Sequence, residues 1–109
     1  MKMKRVTYNK LVRDRIPEII SAAGSRPKTR VLEEAEYISE LRRKLVEEVE
    51  EFITSNDAEE LADILEVLFA VASQMGLDPM LLEELRRSKK DKRGGFEAKV
   101  FLINVESRE

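Results

Sequence analysis

The sequence predicts a mainly α-helical single domain over residues 1–109, in which a helical hairpin assembles into a four-helix-bundle-like oligomer. Three observations predict this class. Apolar residues recur at spacings of three and four along two long stretches joined by a very short turn. Helix punctuation stands at the ends of those stretches: Pro17, Asp57, Gly76 and the pair Asp78-Pro79. The 109 residues are 42% hydrophobic and 39% charged, which suits one folded domain with a modest core that a partner can complete.

Each element follows in order. Pro17 and Gly24 bracket a short helix over about 16–23, since proline suits a first turn and glycine a C-terminal cap. Residues 29–32 alternate and predict a short strand. From Glu34 to about Thr54, the residues Ile38, Leu41, Leu45, Val49, Phe52 and Ile53 form the stripe of a long amphipathic helix. Ser55-Asn56-Asp57 predicts a tight turn with Asp57 as N-cap. Residues 58–75 predict a second long helix, with Leu61, Ile64, Leu65, Leu68 and Ala72 as its stripe and Gly76 as its cap. Asp78-Pro79 opens a third, running to about Lys90. Residues 91–95 read as a polar loop, and the apolar run within 99–105 as a strand able to pair with 29–32. No repeat or low-complexity segment is present.

Composition excludes several chemistries. With neither cysteine nor histidine, the chain has no thiolate nucleophile, no imidazole base and no soft-metal ligand set. Tryptophan is absent and aromatic residues are only 6%, which argues against a base-stacking surface for nucleic acid. The longest apolar run, Val67 to Ala72, is far too short for a membrane span, and no signal-peptide core follows the basic start. The expectation is a cytoplasmic protein. The net charge of −2 is unevenly spread. Residues 1–32 hold nine Lys/Arg against two Asp/Glu, and residues 33–66 hold three against thirteen. That pattern reads either as solvated helix faces or as a cation-binding centre flanked by groups that accept phosphate.

The acidic middle can be placed in space. At about 100° per residue, Glu48 and Glu51 lie to one side of the first long stripe, and Glu60 and Asp63 to the same rotational side of the second. Antiparallel packing brings these offsets to one flank. Glu51 and Glu60 are equally far from the turn, and so are Glu48 and Asp63. Four carboxylates should therefore form a rectangle that repels itself unless a cation occupies it. A hard divalent ion fits, and Mg²⁺ is the usual ion where carboxylates, water and substrate phosphates share the coordination. The plainer reading is a scatter of surface glutamates.

Basic residues lie on either side in sequence. Lys10, Arg13 and Arg15 surround Asp14 and read as a phosphate-contacting arm or as ordinary surface charge. Lys89, Lys90, Lys92 and Arg93 precede Gly94-Gly95, whose backbone can approach a phosphate. The alternative is a basic helix end complementing its dipole.

The segment Glu47-Glu48-x-x-Glu51 with Glu60-x-x-Asp63 resembles the EExxE…ExxD signature of the MazG-like, all-α nucleoside triphosphate pyrophosphohydrolases. Phosphoribosyl-ATP pyrophosphohydrolase, dimeric dUTPases and dCTP pyrophosphatases belong to the same superfamily. The opening run from Tyr8 to Glu18, together with Arg93-Gly94-Gly95-Phe96, is similar to a small single-domain branch. The resemblance implies Mg²⁺ ligands at Glu48, Glu51, Glu60 and Asp63, with Mn²⁺ as an alternative ion and Glu47 in a supporting place. It also strengthens the phosphate reading of Arg93, beside Lys10, Arg13 and Lys90. The connection between the half-motifs is short, which leaves little loop to shape a base pocket.

The expected activity is Mg²⁺-dependent hydrolysis of a nucleoside triphosphate or related nucleotide to the monophosphate and pyrophosphate, a house-cleaning reaction. Without His or Cys, the nucleophile left is a water activated by metal, with Glu51 as one candidate to accept its proton. The alternatives are the phosphoribosyl-ATP step of histidine biosynthesis and a non-catalytic helical interaction module. Expected partners are a nucleotide substrate and a second copy, as a homodimer or higher homo-oligomer, with no membrane and no nucleic acid.

Overall fold

The computed structural model describes residues 2–108. Among the described residues are four helices: α1 (Ile16–Ala22), α2 (Glu34–Ser55), α3 (Ala58–Gln74) and α4 (Pro79–Arg93). The chain is mainly α, as its periodicity predicts. No helix among the described residues is by itself long and apolar enough to cross a membrane.

Local chemistry sets the helix ends. Asn56 closes α2 in the left-handed region at φ 57°, and its N–H donates to the Phe52 carbonyl at 2.7 Å. The Asp57 carboxylate then accepts from the Glu59 N–H at 3.0 Å and opens α3. Two residues thus reverse the chain. At the far end of α3, Leu77 N–H donates to the Ala72 carbonyl and Gly76 N–H to that of Ser73, a Schellman closure with Gly76 at φ 79°. The Asp78 side chain caps α4 through the Leu81 N–H at 2.8 Å. The chain bends by 103° between α3 and α4. α4 runs three residues beyond its expected end. Lys90, Lys92 and Arg93 in its last turn complement the helix dipole, and Gly94 stops it at φ 83°.

α2 and α3 pack as an antiparallel hairpin, α4 packs on α3, and the backbone of α1 approaches no other helix. The core is small. Leu41, Val67 and Ala72 are its buried apolar residues.

Two expectations need correction. The small β element is absent: neither 29–32 nor 99–105 forms a strand among the described residues. Lys99 lies at φ 59°, outside the extended region, and its N–H closes a turn onto the Phe96 carbonyl. Val31 is 98% exposed, and Val100, Phe101, Leu102 and Ile103 are also exposed, so neither segment supplies the ladder the other needs. The inward face of α3 matches the expected stripe only in part. Ala72 is buried and Ile64 half-buried as expected, but Val67 is buried where Leu61, Leu65 and Leu68 are exposed. α3 is apolar nearly all round, so its periodicity does not choose which face meets α2.

Candidate metal centre

The hairpin turn fixes the register of α2 against α3, and the register brings the carboxylates together. Glu48 of α2 is 6% exposed, the one buried charged residue among the described residues. One carboxylate oxygen each from Glu48, Glu60 and Asp63 lie within 4.8 Å of one another. Glu51 stands beside them, exposed, close enough to Glu48 and Glu47 for their charges to act on it. The sequence offsets place all four on an outer flank, but Glu48 belongs instead to the buried side of α2.

Cations surround this cluster without filling it. Lys44 Nζ lies 3.2 Å from Glu48 Oε1 and 3.6 Å from Glu47. The segment before α1 lies along the hairpin. There Lys10 Nζ donates to Glu47 Oε1 at 3.1 Å, and Arg13 Nη2 donates to Asp63 Oδ1 at 2.6 Å. Lys10 also sits 5.9 Å above the Tyr8 ring centroid. These residues, with Val12, Ile16 and Glu51, line an open groove of about 290 Å³. Even so, Glu48 Oε2 and Glu60 Oε2 are buried and accept no hydrogen bond. Buried carboxylate oxygens without donors are costly unless a proton or a cation meets them.

The charges respond accordingly. Burial pushes the Glu60 carboxyl up to about 7, with further pressure from the Glu51 and Asp63 carboxylates. The charge of Glu48, with burial added, raises Glu51. Glu47 moves the other way: burial raises it, but hydrogen bonds and charge from Lys10 and Lys44 outweigh that and hold it below the ordinary range. The hydrogen bond to Glu47 in turn raises Lys10.

The donor set is all oxygen and all carboxylate, with two oxygens left bare. That suits a hard divalent cation such as Mg²⁺ or Mn²⁺. Among the sequence candidates, the structure gathers Glu48, Glu60 and Asp63 most tightly, with Glu51 at their edge and Lys10 and Arg13 across the groove. Lys90 and Arg93 are elsewhere, in the last turn of α4, and do not line this groove. Sequence reasoning missed Lys44, although its i,i+4 spacing to Glu48 on one helix was available as a signal.

No family model matches the chain, and no solved structure matches it. An uncharacterized protein of Mycolicibacterium smegmatis is 56% identical over 41 residues, which cover 38% of this chain and 42% of that protein. The chain is therefore matched to less than half the length of that relative.

Proposed function

We propose that the chain is a divalent-metal-dependent nucleotide pyrophosphohydrolase, cleaving a nucleoside triphosphate or related nucleotide to the monophosphate and pyrophosphate. The observation that carries this reading is Glu48: a buried carboxylate whose Oε2 has no donor, facing Glu60 and Asp63 across a helical hairpin. A structural glutamate at such a position would be expected to have both oxygens satisfied.

Glu48, Glu60 and Asp63 would hold the ion, with Glu51 next to it. A bound divalent cation offsets negative charge on the phosphates and lowers the pKa of a coordinated water. Glu51 would accept a proton from the attacking water: it is exposed, lies at the cluster's edge, and the charge of Glu48 raises its proton affinity. Lys10 and Arg13 flank the same groove and can exchange their carboxylate partners for phosphate oxygens, charge for charge. Water adds at one phosphorus of the anhydride, and the pyrophosphate oxygen leaves with the bonding pair.

The working form is proposed to be a homodimer or higher homo-oligomer. Val46, Val49 and Ile53 of α2 and Leu61, Leu65 and Leu68 of α3 are exposed on the side of the hairpin away from the carboxylates. The radius of gyration, 19.6 Å, exceeds the about 13 Å expected of a compact chain this long. A second hairpin laid on that face completes a four-helix layer.

The test is pyrophosphate release from a panel of nucleoside triphosphates, and from phosphoribosyl-ATP, with Mg²⁺ and with chelator. Chelator-sensitive release from at least one nucleotide supports the reading. No release from any, with Mg²⁺ or Mn²⁺, leaves the non-catalytic interaction module.

A further inference from the structure

The two carboxylate oxygens of Glu48 have different surroundings. Oε1 lies 3.2 Å from Lys44 Nζ, one turn earlier on α2. Oε2 is buried and accepts no hydrogen bond. The Lys44 side chain is 16% exposed and that of Glu48 8%, so the pair stands largely out of solvent. Lys44 has a second anchor as well, Glu47 Oε1 at 3.6 Å, and Lys10 fixes that carboxylate in turn at 3.1 Å.

Asp63 has a looser partner. Arg13 reaches its Oδ1 at 2.6 Å, but these two side chains are 56% and 38% exposed. An exposed pair of this kind holds weakly against solvent. Arg13 can therefore give up its carboxylate, while Lys44 stays on one oxygen of Glu48. That difference bears on which ion fits. Ca²⁺ takes many oxygens in a flexible arrangement and accepts both oxygens of one carboxylate. Mg²⁺ is smaller and demands near-octahedral geometry. The two oxygens of one carboxylate lie too close together to fill two of its right-angled positions.

We infer that Lys44 is a positioning residue that sets ion specificity: by holding Glu48 Oε1 it leaves only Oε2 for the ion, which bars two-oxygen coordination by Glu48 and favours Mg²⁺ or Mn²⁺ over Ca²⁺. Residues that orient a metal ligand from behind act in this way, through the ligand and not on the ion. The inference rests on the divalent-cation reading of this site and on no step of hydrolysis.

Electron paramagnetic resonance of free Mn²⁺, with Mg²⁺ or Ca²⁺ as competitor and no nucleotide, tests this without any activity. In the wild type, Mg²⁺ should displace Mn²⁺ at lower concentration than Ca²⁺ does. Lys44→Met should move the ratio of the two affinities about tenfold or more toward Ca²⁺, the lower end of what losing a ligand's support costs. Lys44→Arg, which keeps a charged donor, should hold the ratio near that of the wild type. The ratio decides because losing one positive charge strengthens the binding of both divalent ions alike. An unchanged ratio in folded Lys44→Met, or a wild type that prefers Ca²⁺, overturns the inference and leaves the metal centre standing. A wild type that binds no Mn²⁺ removes the metal centre and the inference with it. Circular dichroism reports folding of the variants, and where Lys44→Met does not fold, Lys44→Gln, polar and one atom shorter, carries the same expectation.

Discussion

Two basic segments flank the acidic hairpin in sequence, and the fold treats them differently. Residues 10–13 lie along α2 and α3, with Lys10 on Glu47 and Arg13 on Asp63. The segment from Lys89 to Arg93 continues α4 away from the hairpin and faces solvent. Like charge therefore does not mean like role within one chain. The N-terminal arm neutralises carboxylates on α2 and α3, whereas the α4 end complements its own helix dipole.

The largest effect expected is at the carboxylates themselves. Glu48→Gln and Asp63→Asn should each lower Mg²⁺-dependent pyrophosphate release by about a hundredfold or more, since even residues that only support metal ligands cost about 10–100-fold. Apo melting temperatures should hold, because each change keeps the shape and removes one charge from a self-repelling cluster. A collapse of apo stability would mean that these carboxylates are structural partners of Lys44 and Arg13.

Next comes the comparison between the segments themselves. Arg13→Ala should reduce turnover by about ten- to a hundredfold, the range of a charged contact to phosphate. Arg93→Ala should reduce it less, since that residue lies away from the groove, and its metal binding without nucleotide should barely change. Equal losses in the two variants would erase the difference between the two segments.

The third expectation concerns pH. Glu60 titrates near 7 in the folded chain and near 4.5 when exposed. Its raised value adds stability that is fully present below about 4.5 and is lost as the pH rises through 7. The apo melting temperature should fall over that window, Glu60→Gln should flatten the fall, and Mg²⁺ should bind more weakly below 7, where the ion must displace a proton. Calorimetric scans across the window, with and without Mg²⁺, show whether the slope belongs to Glu60.

The smallest effect lies at the arm's other anchor. Lys10 and Glu47 keep 39% and 28% of their side chains exposed, so Lys10→Met should cost under about 1 kcal/mol in a denaturant titration. A larger loss would mean that the arm is part of the core.

The hairpin was legible in the sequence because two signals coincide there, a helical apolar period and the turn Ser55-Asn56-Asp57. The pairing of levels, Glu48 with Asp63 and Glu51 with Glu60, followed from counting out from that turn. The depth of the site was not legible. In α3 the run from Leu61 to Ala72 is apolar on several faces, so the inward one is chosen by packing against α2, and that choice carries Glu48 inside. The strand expected at 99–105 failed for a related reason. Apolar content there predicts burial, but a strand exists only through a hydrogen-bonded neighbour, and Thr29 to Leu32 run directly into α2 instead. Nor does sequence separation show that α4 turns its basic end away from the carboxylates.

The central claim is that Glu48, Glu60 and Asp63 form a divalent-cation site. Calorimetric titration of Mg²⁺, and of Mn²⁺, into nucleotide-free wild type and Glu48→Gln tests it most directly. The account predicts saturable binding by the wild type that Glu48→Gln loses; equal binding by both, or none by the wild type, would contradict it.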